Sequence, residues 1–339
     1  MLYPFVADNR NVFTYSRTYN NRTGQYTYNN FSESNAFAWE NTANGTTYNP
    51  NRIKNQKLVA VRGTNNTEIY SVYYDATDSA IKFRAGTSTG ANNASANIAN
   101  YSNGSNGSAT GYQIIESGNN AGEYAALGII PSGVTGAGTA VVCWYSGNTL
   151  KFKYNTSPLN STTWSDEIVI DADYAGEYCD LAVDAAGGIH IAYYRAGNKL
   201  KYAYLESYKD TVADVCMVDS YLSVGENISI ETSSKTITVN GTTRYVPYIS
   251  YYSSAIGMAK VAWPVSLGTN EVSSGTNTFT NGVTNDKFTG SWEVQVLPTT
   301  LTTKLLNYTI GVGEKSNGTA NSVMLGYGTK TGLQTALLY

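Results

Sequence analysis

Carboxylates recur in one short motif of this 339-residue sequence, and they are the residues best suited to ligand chemistry. The motif Gly-Glu-Tyr occurs at Glu123 and Tyr124 and again at Glu177 and Tyr178, and the related Gly-Glu-Asn places Glu226. A carboxylate can hold a cation or accept hydrogen bonds from sugar hydroxyls, and a tyrosine ring offers an apolar face for stacking. The motif therefore marks these five residues as candidate ligand-binding positions. The alternative is that Gly-Glu is turn chemistry inherited by duplication of a repeat.

Any catalytic arrangement that needs a histidine must use His190, because it is the single histidine of the chain. It lies in an apolar run beside two tyrosines, so we interpret it as a packed structural residue rather than a catalytic one. No His/Cys pair has the spacing of zinc ligands, and Asp171, Asp173 and Asp184 do not match a calcium-binding loop. We therefore predict turn roles for the three aspartates, no metal site and no cofactor.

The cysteines are three in number, Cys143, Cys179 and Cys216, and all fall in predicted strands. An odd number of cysteines at such positions predicts small buried free thiols rather than a disulfide framework.

The elements that must position these residues are β-strands. Three of them follow one another at Cys179–Asp184, Ile189–Tyr194 and Leu200–Tyr204, separated by turns rich in Gly, Ala and Asn. Runs of β-branched and aromatic residues divided in this way predict an antiparallel meander. The middle run carries apolar residues on both faces, which predicts a sheet that is covered on both sides.

The same meander recurs along the chain, with four tyrosines at one equivalent place in the second strand: Tyr74, Tyr145, Tyr194 and Tyr252. We count about six copies, with room in each for a fourth strand. The predicted copies span residues 3–43, 57–116, 122–170, 177–219, 227–297 and 304–339. Fourth strands are predicted at Ala36–Glu40, Tyr112–Glu116, Trp164–Ile170, Val212–Val218 and Trp292–Leu297.

This repetition predicts an all-β fold, a β-propeller of about six four-stranded blades that forms a single domain over residues 1–339. A linear solenoid is the alternative, but solenoid repeats are usually shorter and more regular. The last copy ends on its third strand, so we expect the N-terminal segment to supply its outer strand or the chain to continue. An Asn240-Gly241 hairpin signal predicts that the insertion Thr232–Thr243 is an extended β-ribbon.

Charge and composition exclude some partners. The net charge is −3 and only 14% of residues are charged, which argues against nucleic acid or an anionic membrane surface as partner. No apolar run reaches the length of a membrane span. Loops rich in Asn, Thr, Ser and Gly resemble those of exported bacterial proteins, so we expect an extracellular or cell-surface location.

The segment Ser157–Trp164 resembles the Asp-box of sialidase-type β-propellers, with Ser157 and Trp164 at the family's spacing. Leu159 stands in place of the box's aspartate and Ser161 in place of its glycine. The resemblance implies the propeller fold. Sialidases also bring an arginine triad, a tyrosine–glutamate nucleophile pair and an acidic aspartate, and none of the arginines here lies in a matching motif. The resemblance therefore extends to the fold and not to the activity.

We accordingly expect a non-enzymatic adhesion propeller that binds a glycan or another protein. One alternative is a carbohydrate-active enzyme on the same fold, because paired acids do glycoside chemistry without histidine. Another is a structural subunit of a surface layer or filament, in which the last blade associates with its neighbours by strand addition.

Overall fold

The computed structural model describes residues 2–6, 12–20, 25–28, 53–62, 66–89, 112–118, 121–173, 175–197, 199–220, 224–239, 242–264, 292–296, 307–314, 321–329 and 332–338. These residues form β-strands and turns arranged in six sheets. In this part of the chain there is no helix long and apolar enough to cross a membrane.

Each sheet is a meander whose hydrogen-bonded neighbours follow one another in sequence. Sheet 1 contains β1 (Leu2–Val6), β2 (Val12–Asn20) and β3 (Gln25–Tyr28). Sheet 2 contains β4 (Ile53–Arg62), β5 (Asn66–Asp75), β6 (Ala80–Thr89) and β7 (Gln113–Ser117). Sheet 3 contains β8 (Ala121–Ile129), β9 (Ala140–Ser146), β10 (Thr149–Asn155) and β11 (Ile168–Asp171). Sheet 4 contains β12 (Ala175–Val183), β13 (Ile189–Arg195), β14 (Lys199–Leu205) and β15 (Asp214–Asp219). Sheet 5 contains β16 (Glu226–Val239), β17 (Thr242–Ser253), β18 (Met258–Pro264) and β19 (Trp292–Val296). Sheet 6 contains β20 (Asn307–Glu314), β21 (Asn321–Thr329) and β22 (Gly332–Leu338).

The sheets correspond one to one with the six predicted copies. Four-stranded antiparallel meanders are the building unit of β-propellers, and the predicted fold class, all-β and of propeller type, is confirmed. Closure into a ring of six blades stays a prediction. The predicted strand Ala36–Glu40 lies outside the described residues, and neither three-stranded sheet has a fourth strand among the described residues.

Two strand predictions had different outcomes. The predicted ribbon is confirmed, because Thr236–Val239 of β16 pair with Tyr245–Thr242 of β17. The predicted strand Trp164–Ile170 begins too early, since β11 starts only at Ile168. Trp164 lies instead in the irregular segment 161–167 that precedes this strand.

The chain divides into two compact units, Met1–Ala125 with Asn155–Trp164, and Ala126–Tyr154 with Ser165–Tyr339. In the second unit an apolar core lies between sheets 4 and 5, where Tyr202, Ile249 and Val261 have no exposed surface. Both faces of β13 are covered as predicted, because Ile191 and Ala192, which point to opposite faces, are each fully buried.

The first strands of sheets 2, 4 and 5 share one β-bulge. Two residues of the first strand stand opposite a single buried tyrosine of the second strand in each case: Tyr73, Tyr193 and Tyr251. The first residue of each bulge has a left-handed backbone: Asn55 (φ 49°), Tyr178 (φ 53°) and Asn227 (φ 49°). Asparagine tolerates this conformation well, whereas a bulky residue such as tyrosine does so only under strain.

Buried aspartates join successive sheets of the second unit. Asp171, the last residue of β11, accepts hydrogen bonds from the Tyr193 hydroxyl (2.8 Å) and from Lys201 Nζ of sheet 4. All three side chains are buried, so each charge has a partner where water is absent. The arrangement recurs one sheet further on, with Asp219, Tyr251 (2.6 Å) and Lys260 (3.0 Å).

The cysteines are free and buried, which confirms the prediction for all three. Burial, and next the neighbouring Cys179, raise the pKa of the Cys143 thiol well above its ordinary value. A buried thiol with a raised pKa is poorly suited to reaction, because the exposed thiolate is the nucleophile.

Candidate functional site

The predicted carboxylates lie inside the first strands of their sheets. Glu123 and Glu177 are the third residues of β8 and β12, and Glu226 is the first residue of β16. In sheet 4 the first strand extends past Glu177 because pairing continues through the bulge back to Ala175. All three residues are half-buried, and Oε2 of Glu226 is itself buried.

The repeated tyrosines meet these carboxylates at the same end of the sheet. Tyr74, Tyr145, Tyr194 and Tyr252 are each the penultimate residue of a second strand, which confirms their predicted equivalence. In the strand register Glu177 stands opposite Tyr194, and Glu226 stands opposite Tyr252. A glutamate of the first strand and a tyrosine of the second are therefore neighbours in both sheets 4 and 5.

Tyr194 also contacts the next sheet. A Cβ atom added to Gly225 would lie 3.2 Å from Tyr194 Cδ2, and Gly225 has a φ of +96°. Only glycine fits both the close approach and the backbone conformation. Glu226 follows Gly225 directly, so Tyr194 has Glu177 opposite it in its own sheet and contacts the residue before Glu226 in the next.

Tyr178 completes this group. Its ring and that of Tyr194 are edge to face, with centroids 6.1 Å apart and planes at 89°. Both rings are half-buried and pack on the core between sheets 4 and 5. We call Glu177, Tyr178, Tyr194, Gly225 and Glu226 the seam site.

An ion pair borders the seam site. Arg195, which follows Tyr194, donates from Nε (2.9 Å) and Nη2 (2.6 Å) to Asp173 Oδ2. The two side chains are 20% and 29% exposed, so the pair contributes little to stability but holds the guanidinium in one orientation. Lys199, paired in register with Arg195, adds a second cation.

The structure brings together three of the five predicted site residues, Glu177, Tyr178 and Glu226. Glu123 and Tyr124 belong to the first compact unit, where Asn55 Nδ2 donates to the Glu123 carbonyl (3.0 Å). Tyr194 was not among the predicted site residues, although its repetition in the second strands was a usable signal. Arg195 was missed as well, and its partner Asp173 was assigned to a turn.

His190 lies in a closed network away from solvent. Its Nε2 is 3.0 Å from Asp184 Oδ2, and its Nδ1 is 2.7 Å from the Tyr202 hydroxyl. Since a carboxylate only accepts, the fitting tautomer donates from Nε2 and accepts the tyrosine O–H at Nδ1. Burial lowers the pKa of His190, so the neutral ring satisfies both partners. With no exposed surface on His190, these contacts support the structural interpretation.

Asp184 and Asp171 have the predicted turn roles, whereas the Asp173 carboxylate pairs with Arg195. Asp184 Oδ1 accepts from the amides of Ala186 and Gly188 (both 2.8 Å), and Asp171 Oδ1 accepts from the amide of Asp173 (2.9 Å). Among the residues that the structure describes, no group of three His, Cys, Asp or Glu is placed to hold a metal ion.

The Asp-box-like segment is closed by a residue that precedes it. Asn155 Oδ1 accepts from the Ser157 amide (2.9 Å), and its Nδ2 donates to the Ser161 carbonyl (2.8 Å). Trp164 Nε1 donates to Gln113 Oε1 (2.7 Å). The turn is thus well defined although Leu159 occupies the place of the family's aspartate.

Comparisons with known proteins find likeness in structure only. No protein-family model and no curated protein sequence matches the chain. The structure of a lectin from Aleuria aurantia aligns at 12% identity and a TM-score of 0.46 over 99% of this chain and 90% of the lectin. An intramolecular trans-sialidase from Ruminococcus gnavus aligns at 12% identity and a TM-score of 0.42 over 96% and 72%. The leech intramolecular trans-sialidase aligns at 13% identity and a TM-score of 0.41 over 94% of this chain, which spans only 40% of the enzyme. All three alignments have TM-scores below 0.5, and their identities of 12–13% extend no activity to this chain.

Proposed function

We propose that the protein is a non-enzymatic glycan-binding propeller and that the seam site holds the sugar. The supporting arrangement is a pair of half-buried tyrosine rings, Tyr178 and Tyr194, with Glu177 opposite Tyr194 in the strand register and Glu226 directly after Gly225, which Tyr194 contacts. The apolar face of a pyranose stacks on such rings, while its hydroxyls donate to Glu177 and Glu226. A hydrogen bond to a charged acceptor contributes about 1.5 to 3 kcal/mol.

The observation that carries this proposal is the backbone strain at Tyr178. Among the described residues, two equivalent bulges place asparagine at this position, and the bulge beside Tyr194 places tyrosine there. A left-handed conformation costs an ordinary L-residue about 1 to 2 kcal/mol. Strain of this kind concentrates at ligand-binding and active sites. The tyrosine is therefore best explained by what its ring does for a ligand.

A nucleophilic role is disfavoured for the neighbouring tyrosine, Tyr145. Its hydroxyl donates to Asn148 Oδ1 (2.9 Å). Burial, and next the charge of Glu177, raise the pKa of Tyr145, so the group remains a neutral hydrogen-bond donor at physiological pH. A nucleophilic tyrosine would need the opposite shift.

The domain organisation and the location of the protein are part of the same proposal. We infer a single domain of about six blades in a secreted or cell-surface protein that serves adhesion. The low charge and the loops rich in Asn, Ser, Thr and Gly support an extracellular setting.

An immobilised-glycan array tests the function. Wild-type protein should bind a discrete set of glycans, and Glu177→Gln should weaken that binding at least tenfold with a melting temperature changed by only a few degrees. Glu293→Gln, the same change at an exposed residue of β19, is the matched control and should bind like wild type. An array without binding would refute the proposal, and cleavage of chromogenic glycosides by the intact protein would favour an enzyme instead.

A further inference from the structure

We propose a second sugar site one seam earlier, formed by Tyr145, Asn148, Gly176 and Glu177. It rests on the proposed function and extends it, because the ligand class is the same. Nothing in the sequence singled out Tyr145 and Asn148 as binding residues. The argument is that the contact between a second-strand tyrosine and the next sheet is repeated.

The two seams match in their contacts. A Cβ atom on Gly176 would lie 3.1 Å from Tyr145 Cδ2, compared with 3.2 Å between Gly225 and Tyr194 Cδ2. Gly176, like Gly225, has a positive φ, of +118°. A glutamate follows the glycine at each seam. The contact between a second-strand tyrosine and the glycine that precedes a glutamate is therefore present twice.

The second seam also offers neutral polar groups. Asn148 is exposed in the turn between β9 and β10, and its carbonyl accepts from the Ala175 amide of the next sheet (3.0 Å). This backbone contact fixes the turn, while the Asn148 side chain orients the Tyr145 hydroxyl. An amide, a phenol and a carboxylate in one place can donate to and accept from sugar hydroxyls.

The charges of the two seams differ. Ser146 and Thr149 occupy the strand positions that Arg195 and Lys199 occupy at the seam site, at the end of the second strand and the start of the third. The second seam thus lacks both cations but keeps the carboxylate of Glu177. A negatively charged sugar is disfavoured there by like-charge repulsion, so this seam should select neutral sugars.

Calorimetric titration with methyl glycosides of galactose, N-acetylglucosamine and glucuronic acid tests the second site. The wild type should bind about two equivalents of at least one neutral glycoside, and Tyr145→Ala and Tyr194→Ala should each retain one. The glucuronide should not bind at the second seam, so Tyr145→Ala and Asn148→Ala should leave its titration unchanged. Asn148→Ala, a change in an exposed turn, provides the test if Tyr145→Ala does not fold, and it should weaken one neutral site at least fivefold.

The failures of the two proposals are distinguishable. One neutral equivalent that is lost in Tyr194→Ala and unaffected by Tyr145→Ala and Asn148→Ala overturns the second site and leaves the seam site standing. No binding of any glycoside, together with an empty glycan array, overturns both.

Discussion

Replacing Tyr178 with asparagine separates ligand binding from stability. The change removes the cost of a left-handed tyrosine, about 1 to 2 kcal/mol, because asparagine already occupies this position in two equivalent bulges. It also removes the edge-to-face contact with Tyr194, worth about 0.5 to 1.5 kcal/mol, and some apolar burial. These effects oppose each other. We therefore expect the free energy of unfolding to change by less than about 1 kcal/mol, where truncating a buried aromatic usually costs about 3 to 5 kcal/mol.

The assay combines urea unfolding with the glycan array. Tyr178→Asn should keep its unfolding midpoint and lose at least tenfold in glycan binding. The reciprocal variant Asn227→Tyr is the matched control for stability, because it introduces the strain into β16, and it should destabilise the protein by about 1 to 2 kcal/mol. A Tyr178→Asn variant that loses about 3 kcal/mol or more and still binds would show that the ring serves packing and would refute the reasoning.

Three further predictions concern the buried polar groups and thiols. Asp171→Ala should lower the free energy of unfolding by about 3 to 5 kcal/mol in urea, because it leaves the buried Lys201 charge without its carboxylate partner. Asp173→Ala breaks a partly exposed ion pair and should cost less than about 1 kcal/mol. Equal losses for the two variants would contradict the buried contacts of Asp171. Burial lowers the pKa of His190 below its ordinary value of 6.5, so below pH 6.5 the unfolded chain binds a proton at this residue that the folded chain does not. The contribution of His190 to the free energy of unfolding should be full above pH 6.5 and fall below it by up to about 1.4 kcal/mol per pH unit. His190→Phe should lack this pH dependence in unfolding curves at pH 7.5 and 5.0. Thiol reagents should label the native protein slowly, since Cys143 has no exposed surface, and rapid labelling of that residue would contradict its burial.

The strand plan of this protein could be predicted because it depends on local patterns. Alternation and the repeated tyrosines mark the meanders, and the predicted copy 177–219 differs by only two residues at one end from sheet 4, Ala175–Asp219. The error at Trp164 arose because an aromatic residue is typical of a strand but also occurs in irregular segments. Its hydrogen bond to Gln113, 51 residues earlier in the chain, is a long-range contact that no local pattern predicts.

The site could be predicted only in part. The Gly-Glu repeat indicated Glu177 and Glu226, but the contact of Tyr194 with Gly225 depends on how one sheet packs against the next. The left-handed conformation of Tyr178 runs against the residue's own preference, so sequence reasoning assigns no such bulge. For Asp171 only one of two roles was predicted from the sequence. The turn role was expected, but the hydrogen bonds to Tyr193 and Lys201 of sheet 4 depend on tertiary packing.

The most direct measurement is a crystal structure of the protein with the glycan that binds best on the array. We predict a pyranose ring over Tyr178 and Tyr194, with its hydroxyls within hydrogen-bonding distance of the Glu177 and Glu226 carboxylates. A glycan bound elsewhere, with the seam site free, would contradict the account.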